Sequence, residues 1–247
     1  MHFQTIKIAL AAFLATSGGV ASAKPTADQP GTAVEIADAA ARERGDLSQV
    51  LVLGTVHLSA LPADFDTARF DGLLDRLAAW KPEAIATETL SGSQCDYLRE
   101  YAFAYPDTAE IYCPDPTAAR TALQLTVAQA AKEIEALLAS PKPERPSAER
   151  RRLAALFLAI GEPDSALVQW LRLPADQRHA DDVLTNTLVE YLEKRIRRMS
   201  EDTIIAAPLA ARLGHERVYP VDDHTGDSAT GPYDDTIFGD EINRAWD

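Results

Sequence analysis

The segment from Val50 to His57 constrains the fold more than any other part of the chain. It is a short apolar run in which β-branched residues are frequent, and it ends in Gly-Thr-Val-His. A run of this length and composition predicts a strand that is buried on both faces. Strands of this kind belong to parallel sheets that helices cover. We therefore expect an α/β fold, with a largely parallel central sheet flanked by helices.

The first 23 residues have the pattern of a signal peptide. Lys7 provides a positive n-region, residues 8–20 are mostly apolar, and Ala21-Ser22-Ala23 fits a cleavage site. The apolar stretch is too short to cross a membrane, and no later segment reaches the roughly 20 apolar residues that a span needs. We therefore expect a periplasmic or secreted protein without a membrane span.

The formal net charge of −14 narrows the classes of partner. An acidic surface repels phosphate backbones, so nucleic-acid binding is not expected. The same charge is compatible with cation binding. A small molecule or a peptide remains as the expected substrate.

The chain has two cysteines, Cys95 and Cys113, and in an exported protein such a pair predicts a disulfide. Chain-entropy reasoning assigns this bridge about 3 kcal/mol of stabilisation. The alternative is a pair of thiolate metal ligands, although the spacing matches no zinc pattern. A cluster of aromatic residues accompanies the cysteines, either packing beside the bridge or forming a platform for substrate. Its members are Tyr97, Tyr101, Phe103, Tyr105 and Tyr112.

Periodicity and capping signals predict the elements along the chain. The predicted helices are 33–44, 70–80, 118–139, 147–160, 164–171, 185–199 and 203–213, and the predicted strands are 49–54, 84–87 and 217–221. Ser147, which precedes charged residues, is typical of a capping box. Pro208 predicts a kink in the last helix.

The same signals predict how the chain is divided into parts. Residues 1–23 are the signal peptide, and 24–47 form a tether with a short helix. Residues 48–247 form a single α/β domain, in which 118–180 is a helical insertion.

Polar side chains follow the three predicted strands. His57 follows the first, Glu88 ends the second, and Asp222-Asp223-His224 follows the third. The carboxyl ends of parallel strands meet at one edge of a sheet, where α/β proteins bind their ligands. We therefore expect these side chains to form one site.

Two uses of this site are open. In the first, His57, Glu88 and His224 hold a divalent metal (zinc, manganese or iron) that activates water. In the second, His57 is a general base that Glu88 orients, with Asp222 assisting. Both uses predict hydrolysis.

Two segments resemble the opening of the superfamily that holds TraB, Tiki, ChaN and the erythromycin esterases. Residues 53–58 read L-G-T-V-H-L and 81–88 read K-P-E-A-I-A-T-E. The shared pattern is a strand that ends in G-x-x-H, followed by K-P-x-x-I-A-x-E on the next strand. Residues 210–222 resemble a later segment of uncharacterised, exported bacterial members, to which the chain is most similar.

The resemblance implies an activity and a set of residues. Tiki-like members are metal-dependent proteases, erythromycin esterases open a lactone with a histidine base, and ChaN-like members bind haem. The first two functional positions of the superfamily match His57 and Glu88, whereas Asp222 matches the uncharacterised group alone. We therefore expect an exported hydrolase of ester or peptide bonds. The alternative is a non-catalytic protein that binds a small hydrophobic ligand or haem.

The chain departs from the superfamily near its carboxyl end. Relatives usually carry a second G-x-x-H there, and the nearest segment in this chain, residues 221–224, lacks the glycine. This segment is either a degenerate second motif or a sign that the chain is a shortened member. We expect the shortened form, because the end at residues 243–247 has the composition of an interrupted helix.

Overall fold

The structure, a computed structural model, describes residues 32–45, 48–62, 64–140, 144–226 and 235–246. The predicted signal peptide therefore lies outside the described residues. The described residues belong to two compact units, one that ends at Leu53 and one that begins at Gly54. The first unit contains helix α1 (Ala33–Arg42), as predicted, and the Thr32 hydroxyl caps it by accepting a hydrogen bond from the Glu35 amide.

The second unit is mostly helical. Its elements in chain order are α2 (Asp71–Trp80), β1 (Ala86–Thr87), α3 (Gly92–Glu100), α4 (Thr108–Tyr112), α5 (Thr117–Leu123), α6 (Val127–Leu138), α7 (Ser147–Ile160), α8 (Pro163–Leu171), α9 (Asn186–Ile196), α10 (Ala207–Leu213), β2 (Tyr219–Pro220) and α11 (Asp235–Trp246). Short 3₁₀ turns lie at Leu58–Ala60, Thr67–Phe70 and Ala175–Gln177.

The predicted central parallel sheet is wrong. In the described residues the sheet consists of β1 and β2, which pair in parallel with Ala86 opposite Tyr219 and Thr87 opposite Pro220. The predicted first strand has no regular structure, and Val50 and Val52 are 83% and 88% exposed. A buried strand requires a neighbour for its backbone and covered faces for its side chains. The apolar pattern of residues 49–54 specifies neither the neighbouring strand nor the elements that would cover its two faces.

Helices α7 and α8 supply the centre of the core. The largest fully buried side chains come chiefly from these helices and their neighbours, among them Trp170, Phe157, Leu98, Ile134, Leu153 and Leu156. The sequence predicts 118–180 as an insertion beside a sheet. This segment is instead the part of the unit around which the other helices pack.

The observed N-caps differ from the predicted ones in two helices. The predicted helix 118–139 is interrupted after Leu123, because Thr126 and Gln129 form a capping box that starts α6. Helix α7 has the predicted bounds, but Ser147 does not cap it. The N-cap residue is Pro146, which offers no side-chain acceptor to the first turn.

The predicted disulfide is confirmed. Cys95 and Cys113 are bridged, with their Cα atoms 5.6 Å apart, and the bridge joins α3 to the segment that follows α4. A disulfide is compatible with an exported protein. Among the described helices, none has the length and apolar character that crossing a bilayer demands.

The turn before α10 contains a carboxyl group with a shifted pKa. Residues Asp202–Ala206 form a π-helical turn next to the predicted kink at Pro208, which cannot donate a backbone hydrogen bond. Burial raises the pKa of Asp202 to about 6, and repulsion from Asp164 adds to the shift, while Arg195 opposes it. The folded protein therefore binds a proton at Asp202 more tightly than the unfolded chain does.

This shift predicts a pH-dependent effect of Asp202→Asn on stability. Stability contributed by the protonated carboxyl is present below pH ~4 and is lost as the pH rises through about 6. At pH 7.5 the variant should exceed the wild type by roughly 2–3 kcal/mol at most, because it has no carboxylate to bury. Urea unfolding at pH 7.5 and pH 4 measures both values. An equal difference at the two pH values would contradict the assignment.

Candidate functional site

The two strands bring Glu88 and the Asp222 segment to one edge of the small sheet. The Val221 amide donates to the Thr87 carbonyl at 3.0 Å, and the Asp222 amide donates to the Thr89 carbonyl at 3.1 Å. Pairing thus continues beyond the end of each strand. The sequence-based placement of these residues at a common strand end is reproduced, although the sheet has two strands.

Asp222 and His224 form a pair at this edge. The Asp222 Oδ2 atom lies 3.0 Å from His224 Nε2, and the other carboxylate oxygen accepts a hydrogen bond from the Asp223 amide. The Asp223 carboxylate in turn accepts from the Thr225 amide at 2.8 Å, and this hydrogen bond lowers the pKa of Asp223. Hydrogen bonds from backbone amides to the Asp222 and Asp223 carboxylates therefore stabilise the turn that carries the imidazole.

Tyr112 stacks on the imidazole of His224. Their ring centroids are 3.7 Å apart and their planes differ by 14°. Tyr112 ends α4 and immediately precedes Cys113, so the disulfide anchors the residue that covers the imidazole. The Tyr105 hydroxyl donates to the Thr225 carbonyl and attaches the same turn to the aromatic cluster. Nothing in the sequence predicted the stacking of Tyr112 on His224.

The rest of the aromatic cluster is largely exposed. Tyr97 is in ring contact with both Tyr101 and Tyr105, and Tyr101 contacts Phe103, which is among the most exposed aromatic residues of the chain. The cluster therefore packs beside the disulfide at one end and faces solvent at the other. Packing beside the disulfide therefore describes one end of the cluster, and the substrate platform stays a prediction.

Glu88 is exposed just beyond β1. Among the described residues no side-chain hydrogen bond or ion pair involves its carboxylate, whereas the neighbouring Thr87 and Thr89 hydroxyls bond to each other at 3.0 Å. Its carboxylate is thus accessible to a molecule that approaches this edge.

His57 lies in a different environment from the one predicted. It precedes the 3₁₀ turn Leu58–Ala60, and Glu201 anchors this loop. The Glu201 Oε1 atom accepts hydrogen bonds from the Leu58 amide at 2.9 Å and the Thr55 hydroxyl at 3.1 Å. Burial raises the pKa of Glu201, but these bonds and the nearby His57 outweigh it and lower the pKa overall. Within the described residues, no hydrogen bond or ion pair joins His57 to Glu88 or Asp222.

The described residues contain no group of three or more His, Cys, Asp or Glu side chains arranged to hold a metal ion. The set predicted from the sequence, His57, Glu88 and His224, is therefore not assembled as a metal centre. The site that the structure does assemble is an imidazole paired with a carboxylate under an aromatic ring.

Comparisons with protein families, with characterised proteins and with solved structures found no match for this chain. The geometry of its own residues is therefore the basis for a functional assignment.

Proposed function

We propose that this protein is an exported hydrolase of ester or peptide bonds in which His224 is the general base. The observation that carries the proposal is the 3.0 Å pair between Asp222 and His224, stacked under Tyr112 at an exposed strand-end edge. A histidine held by a carboxylate is the usual arrangement for removing a proton from water or a hydroxyl group.

The chemistry follows from the orientation of the imidazole. The Asp222 carboxylate holds His224 through Nε2, and in the proposed reaction the imidazole accepts a proton from the attacking water. Asp222 then stabilises the imidazolium that forms, and the proton passes to the leaving oxygen or nitrogen when its bond to the acyl carbon breaks. Glu88, at the same edge, accepts a hydrogen bond from an amide N–H of a bound peptide.

The proposal includes two features that come from the sequence. The pattern of residues 1–23 supports export, and cleavage would give a mature chain that begins at Lys24. The resemblance of residues 53–58 and 81–88 to a superfamily with hydrolytic members supports the reaction class. His57 is retained as the competing base, since that resemblance assigns it the functional position.

Single substitutions distinguish the two histidines. Purified mature protein is assayed with p-nitrophenyl esters and with a quenched-fluorescent peptide library. We expect His224→Ala to lower kcat/KM by roughly 100-fold or more, the usual contribution of a general base. Asp222→Asn should also lower it, because the imidazole loses its orienting carboxylate. His179→Ala is the matched control, because His179 is exposed and bonds to a neighbouring backbone carbonyl.

The outcomes separate the hypotheses, provided that near-UV circular dichroism shows each variant to be folded. Loss of activity in His57→Ala with full activity in His224→Ala would refute the Asp222–His224 base. Activity that survives both substitutions would refute a histidine base altogether.

The second candidate function is binding without catalysis. The exposed rings of Tyr97, Tyr101 and Phe103 favour it, because aromatic surface of this kind is enriched at binding sites. A haem or hydrophobic dye titration with a saturable spectral change, reduced in Phe103→Ala, would support this function in a protein without hydrolase activity.

A further inference from the structure

A cluster of three arginines lies beneath a cavity of the larger unit. Arg145, Arg150 and Arg172 converge on the carboxylate of Glu216, with nitrogen–oxygen distances of 3.3, 3.4 and 3.0 Å. The side chains of Arg145 and Arg150 are buried, with that of Arg145 1% exposed, and the side chain of Arg172 is 11% exposed. Arginine is rarely buried unless its charge is matched by a partner.

In the part of the chain that the structure describes, the carboxylates in contact with this cluster are fewer than its arginines. Glu216 is shared by all three arginines, and of the three Arg145 is the one that pairs with Glu149. The Nε–H group of Arg145 is buried and has no acceptor with hydrogen-bond geometry among the described residues. Burial is the largest cause of the lowered pKa of Arg150, and repulsion from Arg172 follows. The cluster therefore carries a buried excess of positive charge.

Neutral groups hold these arginines in place. Gln169 Oε1 accepts a hydrogen bond from Arg150 at 3.0 Å, while its amide nitrogen donates to Glu216 Oε2 at 2.8 Å. Arg172 donates to the His215 carbonyl at 2.7 Å. A ligand would meet guanidinium groups that are already oriented, so little side-chain freedom is lost on binding.

The cavity above the cluster has a volume of about 460 Å³, within the usual range for small-molecule sites. Its charged lining consists of Arg145, Arg150, Arg172 and Arg212, with a single carboxylate, that of Glu144. None of the strand-end residues of the proposed hydrolase site lines this cavity.

The amino end of α7 opens on the same cavity, which Ser147 helps to line. This helix is 14 residues long, and no side chain caps its first turn. The first amides of a helix and its dipole both favour an anion. The helix end and the excess of arginine are separate features that point to one kind of ligand.

We propose that this cavity binds a small molecule through a phosphate-like oxyanion group. The guanidinium groups of Arg172 and Arg212 and the first amides of α7 contact the oxyanion, and the remaining volume accommodates the rest of the molecule. The geometry of arginine suits an oxyanion because its planar group donates paired hydrogen bonds. The acidic surface of the protein repels anions elsewhere, so binding should be confined to this site.

Calorimetric titration of the full mature chain tests the proposal. The probes are inorganic phosphate and glycerol phosphate, in a chloride buffer of low ionic strength. We expect saturable binding of both at one site, with glycerol phosphate at least as tight. Arg172→Gln and Arg212→Gln should each weaken binding by roughly tenfold or more, because each removes a charge-assisted hydrogen bond.

Two features keep the experiment decisive. Arg172 also helps to hold Glu216, so Arg212 supplies a variant whose effect does not depend on that contact, because its half-exposed side chain pairs with the exposed Asp75 instead. Arg152→Gln is the matched control, since Arg152 pairs with Glu133 and does not line the cavity. Absence of saturable binding of either probe, or equal weakening by Arg152→Gln, would overturn the proposal. Loss of hydrolase activity in His224→Ala bears on the other site alone.

Discussion

Replacing Asp164 by alanine is expected to destabilise the protein by about 3–5 kcal/mol. Asp164 Oδ1 accepts hydrogen bonds from Arg195 Nε at 2.9 Å and Nη2 at 2.6 Å, and Oδ2 accepts from Nη2 at 2.7 Å. The two side chains are 7% and 10% exposed. The substitution therefore leaves a guanidinium that is buried without its main partner, and that desolvation cost is not recovered.

A second carboxylate near Arg195 reduces the expected loss of stability in Asp164→Ala. The Asp202 carboxylate also interacts with Arg195, so it replaces part of the lost attraction when it is ionised. The loss should thus be nearer to about 3 kcal/mol at pH 7.5, where the substitution also relieves repulsion between Asp164 and Asp202. It should be larger at pH 5, where Asp202 of the wild type is mostly protonated and that repulsion is absent.

Urea unfolding measures the effect of Asp164→Ala, and two variants control for it. Glu241→Gln breaks the exposed pair between Glu241 and Arg244, and its cost should stay below about 1 kcal/mol. Asp164→Leu combined with Arg195→Met removes both charges and should be more stable than Asp164→Ala. If Asp164→Ala lowers the free energy of unfolding by as little as Glu241→Gln does, the pair between Asp164 and Arg195 is not buried in solution.

Replacing Gly92 by alanine is expected to cost about 3 kcal/mol or more. A Cβ atom at this position would lie 2.0 Å from the Ile160 carbonyl oxygen and 2.8 Å from its carbon. Both atoms belong to the backbone of α7, so no side-chain rotation relieves the clash. Helix α3 would have to move away from α7, and overfilling a packed contact of this kind typically costs about 1–3 kcal/mol, occasionally more.

The movement would also cost polar contacts at the start of α3. The Gly92 amide donates to Glu162 Oε1 at 3.2 Å, and Ser91 and Gln94 form a capping box around the same turn. The bond to Glu162 depends on the close approach of α3 to α7. The capping box depends on the position of the first turn of α3.

Thermal unfolding compares Gly92→Ala with a matched glycine. Gly72 lies in α2, and a Cβ atom added there would meet open space, so Gly72→Ala should be neutral or stabilising by up to about 1 kcal/mol. For a chain of this size, a cost of about 3 kcal/mol corresponds to a decrease in Tm of roughly 6–12 °C. If the two variants unfold at the same temperature, α3 and α7 are not in contact at Gly92.

Local signals in the sequence predicted α1, α2, α7, α8 and α9 close to their observed bounds, because those signals act within one helix, but they did not predict α3, α4 or α11. The bounds of α7 follow from the apolar period between Pro146 and Gly161, and Gly161 adopts a left-handed conformation that ends the helix. The predicted helix 118–139 is wrong at its centre, because the capping box of Thr126 and Gln129 starts a new helix there. That signal is local too, and it is present in the sequence.

The predicted sheet failed for a different reason. Residues 49–54 have the composition of a buried strand, but a strand depends on backbone partners that are distant in sequence. The partner that β1 obtains is Tyr219–Pro220, far along the chain, and the apolar run at 49–54 has none among the described residues. Composition alone does not identify such partners.

For the candidate sites, the sequence by itself determined that Glu88, Asp222 and His224 follow strand-like segments. The tertiary structure alone decided that Tyr112 stacks on His224, that Glu201 anchors the loop of His57, and that three arginines converge on Glu216. The physical reason is the same in each case. Which residues meet across the core depends on how the helices pack, and the periodicity of one helix specifies its apolar face but not its neighbour.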